Sequence, residues 1–304
     1  MHISSPFVCD PVTGICSIPE ERLKTGDQVH NPGMKPVQVI YFTDPICSTC
    51  WGVEPQLRKF KLEYGHYFDI EYRMGGLLKS WETYGGKDVA GPAEVAAHWE
   101  EVGAKYKMPV NGKVWREDPL ASSFPPSIAF KAAQLQDPVK AIVMLRCLRE
   151  MVFVKGKNIT RDEHIATAAV TSGLNSDKLL ADMKGPARSL FEDDLRLAAD
   201  FHVRGFPTFF MTDDDSNRLK VYGYKPYAQF ESALLSLYPD AVPKKITSDP
   251  LRIFDPYPTL TTMEYAVIND LDYETAEKQL QTYCTDGRVY VRDFPGGPLW
   301  FRIE

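Results

Sequence analysis

The chain has 304 residues, 44% of them apolar and 25% charged, with a net charge of −6. That length and apolar content suffice for one full core plus a smaller unit, and the negative charge weighs against nucleic acid or an acidic membrane as partner. No stretch approaches the ~20 apolar residues of a membrane-spanning helix, and Met1-His2-Ile3-Ser4-Ser5 lacks a basic segment leading into an apolar one, so the chain is expected to be cytoplasmic with no membrane partner.

Residues 1–36 are rich in Pro, Gly and charge and read as an irregular arm. Within it, Cys9 and Cys16 flank a turn-rich loop, either as a second redox pair exchanging with the dithiol described next or as two free thiols. The run Val37–Phe42 reads as a buried strand, Pro45 breaks it, and Val53, Leu57, Phe60 and Tyr64 recur at helical spacing. The segment Asp44-Pro45-Ile46-Cys47-Ser48-Thr49-Cys50-Trp51 thus puts a Cys-x-x-Cys between strand and helix. A helix N-terminus favours a thiolate at Cys47, below the free value of about 8.5, with Cys50 one turn further in to close a disulfide. The bland readings are two unrelated buried cysteines or half of a zinc site. That needs a second Cys or His pair at ligand spacing, and none is visible among the six histidines and the other cysteines, so no metal and no cofactor are expected.

Phe68–Met74 and the Gly75-Gly76 turn complete a β-α-β start, and a helical insertion follows over about 91–190. Its segments are Val95–Tyr106, Ser127–Leu135, Val139–Val154, Thr160–Ser172 and Ser176–Met183, each apolar at 3.6-residue spacing. Cys147 sits on such a pattern and reads as a small buried hydrophobe. After the helical pattern Phe191–His202, the stretch Val203-Arg204-Gly205-Phe206-Pro207-Thr208 reads as a turn into a strand, with Phe206–Pro207 either a cis turn facing the dithiol or an ordinary trans strand start. A hairpin (Thr208–Met211, Leu219–Tyr222) and an amphipathic helix (Tyr227–Leu237) close this domain at residue 238. Trp51, Phe206 and Thr208 flank the expected site as candidate substrate contacts, although core packing is the commoner fate of large aromatics. Glu54 is either a proton relay to Cys50 or a solvated helix carboxylate.

Residues 239–258 form a proline-spaced linker that implies separable folding. Beyond it, 259–304 reads as helix, helix, hairpin around Pro295-Gly296-Gly297-Pro298, a winged-helix-like module with a capping start at Thr261-Thr262-Met263-Glu264. Cys284, at a helix end, reads as inert. Such modules often bind DNA, but residues 244–304 hold seven Lys/Arg against ten Asp/Glu, net −3, so a protein partner or a structural role is expected instead.

The Cys-x-x-Cys at Cys47 and Cys50, followed some 150 residues later by Phe206-Pro207-Thr208, resembles the thioredoxin superfamily, specifically its DsbA-like branch with a helical insertion. Pro55 matches the helix-kinking proline of that superfamily. The resemblance implies a thioredoxin-like α/β fold in which Cys47 is the nucleophile, Cys50 the resolving thiol and Pro207 a catalytic-site proline. Within the branch the chain is similar to cytosolic FrnE-type oxidoreductases and, over a longer stretch, to YjbH-type adaptors that deliver a transcription factor to the ClpXP protease. Ala129-Phe130-Lys131-Ala132-Ala133, Lys157-Asn158-Ile159-Thr160 and the last sixty residues carry the second likeness. The first expectation is a thiol-disulfide oxidoreductase acting on a protein disulfide; the alternative is a non-catalytic adaptor.

Overall fold

Val37–Thr43 is apolar at nearly every position, a pattern that asks for burial on both faces. The computed structural model, which describes residues 8, 9, 15–17, 35–83, 91–246 and 248–303, buries it so. Six strands make the main sheet: β1 (Val8–Cys9), β2 (Ile15–Ser17), β3 (Val37–Thr43), β4 (Phe68–Met74), β5 (Thr208–Asp213) and β6 (Arg218–Tyr222). Their spatial order is β1-β2-β6-β5-β3-β4, with β3 and β4 parallel and the other pairs antiparallel. On one face Tyr41 stacks on Phe209 at 4.2 Å; on the other Phe42 meets Phe210 edge-on and packs with Ala198. The N-terminal arm is not wholly irregular, because β1 and β2 extend this sheet beyond β6.

Two helices join β3 to β4, α1 (Ser48–Gly52) and α2 (Glu54–Tyr64). The sequence pattern reads as one helix. The chain breaks at Val53 because Pro55 has no N–H to donate and its ring would strike the carbonyl one turn back; in the first turn of α2 it is tolerated. Phe60 of α2 stacks on Phe68 at 4.5 Å and fastens the helix to the sheet.

The insertion holds α3 (Pro92–Tyr106), α4 (Val114–Glu117), α5 (Phe124–Gln136), α6 (Pro138–Arg149), α7 (Asp162–Thr171), α8 (Ser176–Met183) and α9 (Pro186–Asp200). Asp137 caps α6 by accepting from the N–H groups of Val139 and Lys140 at 2.9 and 3.1 Å. The pattern expected as one helix to Val154 ends as an α-helix at Arg149 and continues as a buried π-turn, Glu150–Val154. The insertion also runs further than position 190: fully buried Asp194 of α9 accepts from Met74 N at 2.9 Å and pairs with Arg73 and Lys131 at 2.8 and 2.9 Å, which ties α9 to β4.

After α10 (Tyr227–Leu237), the stretch expected as a linker carries a 3₁₀ turn, Pro250–Phe254, whose Leu251, Ile253 and Phe254 are buried in a second core. It is packed chain, not a spacer. The remainder is β7 (Thr259–Leu260), α11 (Thr262–Ile268), α12 (Tyr273–Thr285), β8 (Val289–Phe294) and β9 (Gly297–Arg302), with a three-stranded sheet ordered β7-β9-β8. Thr261 and Glu264 form the expected capping box of α11, each side chain accepting from the other's backbone N–H. Leu260, Tyr265, Leu280 and Trp300 fill this second core, while Leu299 points into the main one. Gly296 donates to the Val154 carbonyl at 3.0 Å, and a Cβ there would lie 2.6 Å from the Phe153 carbonyl, so the hairpin tip docks on the π-turn only because it is glycine. Among the described residues no helix is long and apolar enough to cross a membrane.

Candidate functional site

Cys47 and Cys50 stand where the sequence pattern puts them, at the start of α1 beyond the C-terminal end of β3. Cys47 is the N-cap residue, and its Sγ accepts from the Cys50 N–H at 3.1 Å. The expected low thiol pKa at Cys47 is not found. Cys47 is 5% exposed and Cys50 0%, and burial pushes the Cys47 thiol well above its ordinary range, with Cys50 and Asp44 adding to the rise. The five-residue α1 offers only a short dipole against that desolvation. At Cys50 burial also opposes ionisation, but hydrogen bonding with Cys47, the Arg149 charge and Thr43 hold it below the ordinary range.

Two residues beneath the dithiol set its electrostatics. Arg149, 1% exposed at the end of α6, donates to Thr43 Oγ1 at 2.5 Å and Asp44 O at 3.4 Å and pairs with Glu54. Asp44, fully buried, accepts from Ile46 N at 3.0 Å, Leu77 N at 2.8 Å and Ser123 Oγ at 2.8 Å. Burial raises its carboxyl from 3.8 to about 6, with those hydrogen bonds and Arg149 holding part of the rise back. Glu54 is therefore neither a solvated carboxylate nor aimed at a proton relay; it is an ion-pair partner of Arg149, with Arg58 at 3.8 Å.

The pairing continues into the C-terminal module. Buried Glu264 receives Arg146 through two hydrogen bonds at 2.7 and 3.0 Å and Arg58 at 3.2 Å, Arg146 also reaches Glu150 at 2.8 Å, and Thr259 donates to Glu150. One ion-pair network thus runs from the dithiol through α2 and α6 to α11. The sequence carries a faint sign of it: Arg146 and Arg149 fall among the apolar residues of the Ala141–Val152 pattern, where a charge needs a buried partner.

The proposed substrate contacts separate. Trp51 is fully buried, stacked on Phe153 at 5.6 Å, with Arg146 over its ring at 4.5 Å and Nε1 donating to Pro109 O at 3.0 Å; it is core and offers no peptide surface. Thr208 is buried too, and its hydroxyl donates to Gly205 O at 2.7 Å. Phe206–Pro207 is cis, and the register Phe42↔Thr208 sets Pro207 at the strand end from which the dithiol turn springs. The half-buried Phe206 ring covers Gly75, where a Cβ would lie 1.9 Å from it. The strand register puts Cys9 directly opposite Cys16, and their side chains lie outside the described residues. Cys147 and Cys284 are half-buried free thiols, and burial raises Cys147 to about 11. Among the described residues no group of three or more His, Cys, Asp or Glu is arranged to hold a metal.

A thioredoxin family model matches residues 41–232, well over half the chain. A ClpXP adapter protein SpxH from Halalkalibacterium halodurans is 33% identical over 312 residues, covering 100% of this chain and 99% of that protein. The chain belongs to the SpxH branch of the thioredoxin family. A second SpxH, from Shouchella clausii, is 32% identical over 96% of this chain and 95% of its own length. Solved structures supply the fold: a putative protein disulfide isomerase from Nitrosomonas europaea (TM-score 0.56, 18% identity) and the cytosolic disulfide reductase DsbM of Pseudomonas aeruginosa (0.54, 23%) each cover 66% of this chain. They use 97% and 99% of their own chains to do so. The SpxH relatives, by contrast, extend over the remaining third as well.

Proposed function

We propose that this chain is a cytoplasmic, non-catalytic adaptor that holds a client protein and delivers it to the ClpXP protease. The observation that carries this reading is the extent of the likeness: oxidoreductases of the same fold are exhausted at two thirds of the chain, whereas adaptors match it from end to end. The site's geometry supports it. A dithiol whose two cysteines are 5% and 0% exposed, beside a buried Trp51, is poorly placed to attack a protein disulfide. An ion-pair network that joins the thioredoxin domain to the C-terminal module suits a scaffold that holds two partners in fixed relation.

Proteome-wide half-lives test the proposal in cells lacking the chain. At least one protein is expected to persist longer in those cells, to be indifferent to the chain when ClpX is absent, and to be degraded again when Cys47→Ser is supplied. No ClpX-dependent client, or a client that Cys47→Ser fails to restore, overturns the adaptor reading. One observation favours a second reading, disulfide exchange on a protein thiol or disulfide with Cys47 as nucleophile and Cys50 resolving: the register Phe42↔Thr208 sets Pro207 at the strand end from which the dithiol turn springs. That reading requires Cys47-dependent reduction of insulin by the purified chain.

A further inference from the structure

A cavity of about 320 Å³ opens between α2, α6 and the Pro256-Tyr257-Pro258 segment. Leu57, Ile142 and Tyr257 are among its walls, and Val139 and Val143, 72% and 48% exposed, form an apolar lip. Four cations also line it: Arg58, Lys61, Arg146 and Arg149. The three guanidiniums are matched by Glu54, Glu150 and Glu264. Lys61 is not. Its Nζ meets the Tyr72 hydroxyl at 3.5 Å and that ring at 5.8 Å, and Glu54, also in the cavity wall and paired with Arg149 and Arg58, acts on it from beyond ion-pair distance; no carboxylate among the described residues lies closer.

We propose that this cavity binds a small amphipathic monocarboxylate, its anionic end on Lys61 and its apolar body against Leu57, Ile142 and Tyr257, and that occupancy is sensed at the dithiol through Arg149. One unmatched positive charge calls for one negative charge, because a neutral ligand leaves the ammonium without a partner and a dianion brings an excess into an apolar wall. The volume lies at the small end of ligand pockets, about 300–1,000 Å³, which suits a single aliphatic chain or ring system. The route to the sulfurs is short. Arg149 lines the cavity and with the same guanidinium bonds Thr43 and Asp44 and favours the Cys50 thiolate. An anion beside that charge disfavours the thiolate, and by reciprocity the thiolate weakens the anion. This inference does not depend on whether the chain is an adaptor or an oxidoreductase.

Decanoate serves as probe, titrated calorimetrically into the reduced full-length chain, with decanol as its neutral counterpart. Saturable binding is expected for decanoate and roughly tenfold weaker binding for decanol. Lys61→Met should weaken decanoate about tenfold while leaving decanol unchanged, and Val143→Trp, at the exposed lip, should weaken both without lowering the melting temperature. Decanoate should also move the pH midpoint of the dithiol's thiolate absorbance in the ultraviolet upward in the wild-type chain and not in Lys61→Met. No decanoate binding, equal affinity for decanol, or full decanoate affinity in Lys61→Met overturns the site; binding with an unmoved absorbance midpoint overturns its coupling to the dithiol.

Discussion

Cys47 and Cys50 share one turn and meet different charges, and that difference governs their chemistry. Cys47 accepts a single backbone N–H in a desolvated position, whereas Cys50 has Arg149 and Thr43 nearby. In the reduced native chain, half-buried Cys284 should therefore alkylate faster than Cys47, and the order should vanish in denaturant; a brief iodoacetamide pulse read by mass spectrometry checks it. Asp44 has a matching pH signature. Its carboxyl is raised from 3.8 to about 6, so between those values the folded state binds the extra proton and stability falls as pH rises through them. The rise corresponds to about 3 kcal/mol of charge burial borne above pH ~6. Urea midpoints of wild type and Asp44→Asn at pH about 4.5 and about 7.5 should shift in the variant's favour on going to the higher pH. A gap that does not change with pH rejects Asp44 as the titrating group.

At the scale of elements, α11 combines a local signal with a distant one. Thr261 and Glu264 start the helix by capping chemistry alone, yet the same Glu264 carboxylate is the buried partner of Arg146 and Arg58. Burial opposes its ionisation, and the two guanidiniums overcome this and hold its carboxyl below the ordinary range. Glu264→Ala removes half of the capping box and takes the shared carboxylate from two buried arginines, leaving Arg146 with Glu150 and Arg58 with the more distant Glu54, at a cost of roughly 3–5 kcal/mol. Glu264→Gln keeps the reach to the Thr261 N–H and should lose less. Chemical denaturation ranks the three proteins, and equal stability of Gln and wild type would show that the buried charge contributes nothing. The π-turn after α6 belongs to the same joint, since its carbonyls receive the N–H groups of Gly296 and Asn111.

Across the whole molecule, the C-terminal module is part of the thioredoxin domain's own packing. Leu299 is buried in the main core, the 3₁₀ turn at Pro250–Phe254 fills the second, and Arg58 and Arg146 find their shared carboxylate on α11. A chain cut after Tyr238 should consequently be destabilised, bind a hydrophobic dye and lose the cooperative melt of the full protein. A truncated protein that melts as sharply and as high as the full chain would restore the separable-linker expectation. The net charge of −3 over residues 244–304 is compatible with this inward role, because part of it, Glu264, is spent on buried arginines.

Most of the fold follows from local patterns. The Val37–Phe42 run, the Cys-x-x-Cys between strand and helix, the bounds of α8 and α10 and the capping box of α11 all depend on neighbours within a few residues, and sequence spacing encodes such neighbours directly. The likeness to DsbA-type proteins and YjbH-type adaptors was legible for the same reason, as motifs in order along the chain. The state of the site was not. Whether Cys47 is exposed, whether Trp51 faces a substrate or Phe153, and whether Glu54 meets water or Arg149 depend on residues about 100 positions away in sequence. Desolvation and ion pairing set the chemistry of those groups, and both are properties of the packed surroundings, which only the tertiary structure brings together.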